Sequence, residues 1–212
     1  MYGRMIAPMD VSFDELVARA GVLAVPGGRG LLGICGPPGA GKSTLATRLV
    51  AALAERAVYV GMDGFHLAQV ELERTGRTER KGAPDTFDQA GYVELLRRLR
   101  YPREGEIVYA PEFRREIEEP VAGAVAVPSD IPLVVTEGNY LLLWPEARDL
   151  IDETWFLAPD EEERLRRLVE RHHAFGRDLE QSRERAFGSD QANAEVINAT
   201  AGFAGLVVAN IR

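Results

Sequence analysis

The sequence predicts an α/β fold in which a parallel β-sheet lies between two layers of helices. Short apolar runs recur along the chain, they alternate with helical stretches, and a glycine-rich loop joins the first buried run to a helix. Strands that alternate with helices pair in parallel, because each crossover returns the chain to the same edge of the sheet. No linker divides the 212 residues, so we expect one domain over residues 1–212.

Each element is predicted from its apolar pattern. Residues 10–24 have helical spacing, with Asp10 or Ser12 as the candidate N-cap. Residues 31–35 are continuously apolar, which is typical of a strand buried on both faces. Two more helical stretches follow residue 173. The remaining predicted strands are 57–62, 132–137, 153–158 and 205–209, the helices are 44–56, 89–100 (capped by Asp88) and 160–173, and the extended segments are 106–109 and 121–127.

Composition argues against several classes of protein. Acidic residues outnumber basic ones by 33 to 25, which argues against nucleic acid as the main partner. The single cysteine, Cys35, cannot form an internal disulfide. No run of about 18 apolar residues exists and the first residues lack the apolar stretch of a secretion signal. We therefore expect no membrane association and a cytoplasmic location, with a homodimer left open.

Residues 36–43, Gly-Pro-Pro-Gly-Ala-Gly-Lys-Ser, match the phosphate-binding pattern G-x-x-x-x-G-K-[ST]. Glycines let successive backbone N–H groups surround phosphate oxygens, and the following helix directs its positive end at them. Lys42 adds a charge for the β- and γ-phosphates, and Ser43 offers a hydroxyl to Mg²⁺. The sequence therefore predicts ATP–Mg²⁺ binding. The predicted nucleotide contacts are Gly36, Pro37, Pro38, Gly39, Ala40, Gly41, Lys42, Ser43 and Thr44.

Asp63 follows the second predicted strand, in the run Met62-Asp-Gly-Phe-His66. Ligands bind at the carboxyl edge of a parallel sheet, so Asp63 should face the phosphate-binding loop. A carboxylate there can accept the proton of an attacking hydroxyl. The alternative is a helix N-cap. For His66, a substrate contact and a structural hydrogen bond are equally compatible with the sequence.

Glu137 follows the third buried strand, the position of a Walker B acid. It should reach the magnesium shell directly or through water, although an exposed acid at a strand end is the alternative. Ser43, Asp63 and Glu137 are thus the candidate metal ligands. The guanine-recognition pattern N-K-x-D is absent, which counts against a GTPase.

The strand–loop–helix motif, Asp63-Gly-Phe-His66 and Glu137-Gly together resemble the uridine kinase, phosphoribulokinase and pantothenate kinase superfamily from about Leu31 to Val208. The sequence is most similar to a bacterial branch called nucleoside/nucleotide kinase family proteins, some of them named fructose-transport-system kinases. The resemblance implies a three-layer P-loop NTPase fold with a helical LID, and phosphate transfer to a hydroxyl group of a small molecule. Pro84-Asp-Thr-Phe-Asp88 is similar to the P-x-x-[FY]-D element of the family.

The resemblance also implies where the acceptor binds. Pro111-Glu-Phe-Arg-Arg115 resembles the P-x-[FY]-D-[RH] segment of the family, inside a substrate-side insertion at about 64–128. Arg114 stands where the family usually has Asp, so substrate specificity does not carry over through this segment. The candidate substrate residues are Asp63, His66, Arg115, Glu137 and Tyr140.

The charged helix at 160–173 follows the fourth strand, where related kinases carry a LID whose arginines close over ATP. By resemblance the LID covers about 160–178, and of its arginines Arg164, Arg167 and Arg171 the last two are favoured as catalytic phosphate contacts. A solvated helix with i, i+4 ion pairs is the alternative. Asn193 lies in a segment resembling one near the nucleotide and is a candidate adenine contact.

Two functions remain after these arguments. The first is a kinase for a sugar, nucleoside or related alcohol, and the second is a regulatory P-loop ATPase that acts on a protein partner. Asp63 favours the first, since a switch would not need a carboxylate at that place. A basic loop containing Arg77, Arg80 and Lys81 could meet an acidic acceptor or could simply be solvated.

Overall fold

The computed structural model describes residues 7–176 and 178–212, so residues 1–6 of the predicted domain and Arg177 of the predicted LID lie outside the description. Six strands form one sheet in the order β1-β8-β7-β2-β6-β3, and every pairing in it is parallel. The strands β4 and β5 pair antiparallel in a separate hairpin. The strands are β1 (Met9–Val11), β2 (Gly30–Cys35), β3 (Ala57–Gly61), β4 (Ile107–Arg114), β5 (Glu119–Pro128), β6 (Leu133–Glu137), β7 (Glu153–Leu157) and β8 (Leu206–Ile211).

Capping side chains start several of the helices. Ser12, and not Asp10, caps α1: its hydroxyl accepts from the Glu15 amide, and the Glu15 carboxylate accepts from the Ser12 amide. Asp88 caps α4 as predicted, and Asp160 caps α6. The helices are α1 (Phe13–Leu23), α2 (Lys42–Leu53), α3 (Gln69–Arg74), α4 (Gln89–Arg100), α5 (Pro145–Arg148), α6 (Glu161–Ala174), α7 (Leu179–Phe187) and α8 (Ser189–Asn198).

The central strand β2 is buried along its whole length and separates two apolar cores. Leu31 and Cys35 pack into the core that contains α4, whereas Leu32 and Ile34 pack into the core that contains α1 and α2. This division follows from the two-residue period of a strand, whose successive side chains point to opposite faces. Helices therefore cover both faces of the sheet, and the predicted three-layer α/β fold is confirmed.

The register of the parallel strands brings their carboxyl ends together. Glu137, the last residue of β6, pairs with Ile34 of β2 and with Gly61 of β3. The phosphate-binding loop leaves β2 after Cys35, and the turn that contains Asp63 leaves β3 directly after Gly61. The elements predicted to carry chemistry consequently meet at one edge of the sheet.

The structure differs from the predicted elements in a few places. The strand β1 is not predicted, because three residues are too few to show a period. It is defined by its pairing with β8, which lies about 200 residues later in the sequence. The helix predicted to reach residue 56 ends at Leu53 and continues as a 3₁₀ turn. The hairpin strands are longer than the extended segments predicted. In the described part of the chain, no helix is both long and apolar enough to cross a membrane.

Candidate active site

The phosphate-binding loop needs glycine at two turns. Gly39 and Gly41 have φ of 83° and 90°, in the left-handed region that favours glycine. A Cβ at Gly39 would also lie 2.7 Å from the carbonyl oxygen of Arg164. Lys42 starts α2 directly after the loop, so the helix N-terminus and its free N–H groups point to the loop.

Lys42 is almost completely buried, and its Nζ donates to the carbonyl oxygen of Pro37 at 3.2 Å. Burial lowers the pKa of Lys42, while the negative charges of Glu137 and Asp63 oppose that change. A buried ammonium with few hydrogen bonds gains strongly from an entering anion. The lysine is thus placed to bind phosphate oxygens.

Glu137 accepts two hydrogen bonds on one carboxylate oxygen. The hydroxyl of Ser43 donates to Oε1 at 3.0 Å, and the phenol of Tyr59 donates to the same atom at 2.7 Å. Burial raises the pKa of Glu137, and the negative charge of Asp63 raises it further. Nothing in the apolar β3 sequence distinguishes Tyr59 as a functional residue, and only the sheet register reveals it.

These oxygens fit a magnesium ion. A hydroxyl and two acidic groups with excess negative charge are the hard donors that Mg²⁺ prefers. Among residues 7–176 and 178–212, no group of three or more His, Cys, Asp and Glu side chains could hold a metal by itself. A site of this kind suits Mg²⁺, which usually keeps substrate phosphates and waters as its other ligands.

Asp63 lies in the 3₁₀ turn Met62–Phe65 and makes no capping hydrogen bond there, so the N-cap alternative is not observed. Its Oδ2 is 3.5 Å from Nη2 of Arg115, which follows β4. The next residue, Gly64, packs under the hairpin: a Cβ there would lie 2.5 Å from the carbonyl oxygen of Pro111. This close approach holds the turn, and with it Asp63, against the hairpin of β4 and β5.

His66 combines a structural contact with access to the cavity. Its Nδ1 is 2.8 Å from the carbonyl oxygen of Asp63, and since a carbonyl only accepts, Nδ1 carries the proton. The ring lies 4.0 Å from the ring centre of Phe87 and 4.8 Å from that of Phe113. Burial lowers the pKa of His66, so the neutral ring is favoured and Nε2 remains an acceptor.

The largest concentration of predicted residues lines one cavity of about 450 Å³, the main cavity. It joins the phosphate-binding loop to the hairpin, the basic loop and the helices α6 to α8. A second cavity, of about 420 Å³, lies on the other side of the loop, between α2, α6 and the end of β8. The predicted site residues in the main cavity are Pro38, Lys42, Ser43, Asp63, His66, Arg115, Glu137, Arg171 and Asn193, and those in the second are Ala40, Gly41, Thr44 and Arg167.

The three arginines of α6 have different surroundings. Arg164 is fully buried and donates to Pro38, Glu161 and Gln191, so no donor faces either cavity. Arg167 pairs with Glu163 at 2.8 Å and lines the second cavity. Arg171 lines the main cavity, and burial together with the positive charge of Arg115 lowers its pKa.

Two predicted contact residues, Tyr140 and Asn193, both donate to the carbonyl oxygen of Gly82. Tyr140 is fully buried and donates its hydroxyl to the carbonyl oxygen of Gly82 at 2.6 Å, so it supports the cavity wall from behind. Asn193 lies in the main cavity, where Nδ2 donates to the same oxygen at 3.4 Å. Its sequence neighbours gave no indication of which cavity it would face.

Other residues that were not predicted as site residues also line the main cavity. Phe113 and Phe175 both lie within 5.9 Å of the Arg115 guanidinium, measured to their ring centres. Arg185 of α7 also lines the cavity, and Asp190 of α8 accepts a 2.6 Å hydrogen bond from Nε2 of His172. Local sequence could not identify Arg185, because α7 reaches the site only through tertiary packing.

In the basic loop, Arg77 and Arg80 pair with Asp85, which supports the solvated alternative for these two residues. Lys81 instead lines the main cavity.

Comparisons with known proteins find relatives over most of the chain. A sequence model of the phosphoribulokinase / uridine kinase family matches residues 31–211. A putative uridine kinase of Schizosaccharomyces pombe is 36% identical over 183 residues, 80% of this chain and 77% of that protein. A solved structure, a putative fructose transport system kinase from Silicibacter sp., has a TM-score of 0.80 and 34% identity, covering 95% of this chain and 98% of that one. A possible uridine kinase from Bacillus stearothermophilus shares the fold, with a TM-score of 0.64 and 21% identity over 92% of this chain and 96% of that one.

Proposed function

Because this chain belongs to the phosphoribulokinase/uridine kinase family, we propose that it transfers the γ-phosphate of ATP to a hydroxyl group of a small, sugar-like or nucleoside-like molecule. One observation carries the proposal: the carboxylate of Asp63 shares the main cavity with Lys42 and Ser43 of the phosphate-binding loop. A base and a phosphate site that open into one cavity can bring a hydroxyl and a phosphoryl group into contact.

The two cavities suggest how ATP lies. The triphosphate binds at the N-terminus of α2, with the γ-phosphate toward Lys42 in the main cavity. The base and ribose then occupy the second cavity, beside Thr44 and Arg167. In this arrangement Asn193, a predicted adenine contact, faces the acceptor instead.

The chemical step uses Asp63 as the base. The carboxylate accepts the proton of the acceptor hydroxyl as its oxygen forms a bond to the γ-phosphorus. The bond from that phosphorus to the β–γ bridging oxygen breaks, ADP leaves with its electron pair, and the proton passes from Asp63 to solvent. Lys42 and Arg171 stabilise the negative charge on the transferring group. Mg²⁺, which Ser43, Asp63 and Glu137 would hold directly or through water, neutralises phosphate charge when bound.

The surrounding segments have supporting roles in the proposal. The substrate-side insertion, about 64–128, contributes His66 and Arg115 to the main cavity. The LID, about 160–178, contributes Arg171 and would close over the nucleotide to exclude water.

Release of ADP tests the proposed function. Full-length protein is given ATP and Mg²⁺ with a panel of sugars, sugar acids, sugar phosphates and nucleosides, and phosphorylated product is identified by mass spectrometry. We expect slow ATP hydrolysis when no acceptor is present, and a large increase in the rate of ADP release with one class of acceptor. Stimulation by a protein partner, with no phosphorylated small molecule, would support the regulatory ATPase instead.

A further inference from the structure

The acidic and basic side chains that line the main cavity are not all joined in ion pairs. Two of its acidic residues already face a cation, since Asp63 is 3.5 Å from Arg115 and the Glu118 carboxylate is 3.9 Å from Lys81. Asp190 accepts a hydrogen bond from His172. Glu137 lies within the field of Lys42, and Glu79 is exposed to solvent. Glu79 and Asp190 pair with no lysine or arginine among the described residues, and neither forms an ion pair with Arg185.

Two guanidiniums in the cavity form no ion pair with a carboxylate of the described residues. Within residues 7–176 and 178–212, neither Arg171 nor Arg185 makes an ion pair, although both line the cavity. Arg171 is accounted for by the γ-phosphate in the proposed function. Arg185 has no role in the proposed function. It belongs to α7 and is half-buried behind the basic loop.

Arg185 is oriented by a single contact. Its Nη2 donates to the carbonyl oxygen of Lys81 at 2.5 Å, and its Nε is buried with no hydrogen-bond partner among the described residues. A half-buried guanidinium with unused donors costs free energy, which an anion that accepts from its fork would recover. The side chain of Lys81 lines the same wall, and its Nζ donates to the carbonyl oxygen of Glu118 at 2.7 Å.

We infer that the acceptor is a small hydroxylated anion, whose carboxylate or phosphate pairs with Arg185 while its hydroxyl faces Asp63. This inference rests on the proposed function and deepens it. Arg115, set between the rings of Phe113 and Phe175, is positioned to assist the same anion once the metal site engages Asp63. A neutral sugar or nucleoside would leave the charge of Arg185 uncompensated.

Matched pairs of compounds test the inference. Glycerate is compared with glycerol, gluconate with glucose, and ribose 5-phosphate with ribose, with uridine as a neutral nucleoside. Both ADP release and calorimetric binding beside a non-hydrolysable ATP analogue are measured. We expect one anionic member to exceed its neutral partner by about tenfold or more, the value of one charge-assisted hydrogen bond. Because two pairs carry a carboxylate and one carries a phosphate, the comparison also shows which anionic group the site prefers.

Variants assign the preference to the arginine. Arg185→Gln should raise KM and Kd for the anionic compound by about ten- to a hundredfold, with the KM for ATP unchanged. Arg185→Lys should recover part of the loss, since it keeps the charge without the fork. Arg183→Gln, an exposed change on the same helix, should have no effect. If Arg185→Gln does not fold, Arg185→Lys and the salt dependence of wild-type binding decide.

The outcomes separate the two proposals. Transfer to a neutral compound at least as good as to its anionic partner would overturn the inference and leave the kinase function standing. An equal loss for both members of a pair in Arg185→Gln would overturn it as well. Arg185-dependent binding of an anion without any transfer would support the inference and contradict the proposed function.

Discussion

Nη1 of Arg164 donates a 2.9 Å hydrogen bond to the carbonyl oxygen of Pro38, so the helix α6 is fastened to the phosphate-binding loop itself. The same guanidinium is fully buried, and its remaining donors pair with Glu161 and Gln191. It therefore stabilises one position of the loop relative to α6 and α8. Arg164, a predicted LID arginine, acts in this structure as an anchor of the loop.

Replacing the anchor should affect both stability and ATP binding. We expect Arg164→Met to lower the free energy of unfolding by about 2–4 kcal/mol, because buried acceptors lose their donor. ATP affinity should fall as well, since the loop is no longer held. Urea unfolding and titration with a fluorescent ATP analogue measure the two effects. Arg166→Met, an exposed change on the same helix, should cost under about 0.5 kcal/mol; equal effects of the two variants would contradict the anchor.

Lys42 should be required for phosphate binding. Lys42→Ala removes the only side-chain charge of the loop, and we expect turnover to fall by about 10²–10³ with weaker ATP binding. Initial rates of ADP formation and ATP titrations provide the measurement. Arg98→Ala, which removes an exposed charge on α4, serves as the control. Wild-type binding and turnover in Lys42→Ala would refute the phosphate-binding role of the loop.

Asp63→Asn should separate chemistry from nucleotide binding. We expect kcat for the true acceptor to fall by about 10²–10⁴, because the amide cannot accept the proton. ATP affinity should change far less, since the loop is untouched. Asp85→Asn, at an exposed ion pair, is the matched control. An unchanged kcat would remove Asp63 as the base, whereas a loss of ATP binding as complete as in Lys42→Ala would make it chiefly a metal ligand.

The LID should close when nucleotide binds. Amides of the segment at about 160–178 should exchange hydrogen more slowly with a non-hydrolysable ATP analogue, because Arg167 and Arg171 gain phosphate or ribose contacts. The anchor at Arg164 predicts that protection changes more after this residue than before it. Hydrogen exchange followed by mass spectrometry tests this, with the buried strand β2 as an internal reference. Identical exchange in both states would argue against a LID.

The burial of the Cys35 thiol should make the stability of the protein depend on pH. Its pKa is raised by burial to about 11, above its ordinary value of 9.0. A group whose folded pKa is raised contributes stability below its unfolded pKa, and that contribution is lost as pH rises from about 9 to 11. We expect Cys35→Ala to flatten the stability profile across this range in urea unfolding. We also expect native Cys35 to resist iodoacetamide at pH 8; rapid alkylation of folded protein would contradict its burial.

Sequence alone identified the sheet, the phosphate-binding loop and its neighbours Asp63 and Glu137. It could do so because continuous apolar strands and the glycine pattern are local properties, and the carboxyl edge of a parallel sheet is a general location for ligands. The helix from Gln89 to Arg100 was predicted to the residue, since Asp88 supplies a local cap.

Contacts between residues that are far apart in the sequence were decided only by the tertiary structure. Tyr59 reaches Glu137 because β3 and β6 pair in one register, and Arg164 reaches Pro38 because α6 packs on the loop. Arg185 enters the main cavity through the packing of α7, whereas the hydroxyl of Tyr140 turns to Gly82. Each of these contacts joins residues at least 58 positions apart or separate elements. Charge, burial and hydrogen bonding at such positions depend on packing, which no local pattern encodes.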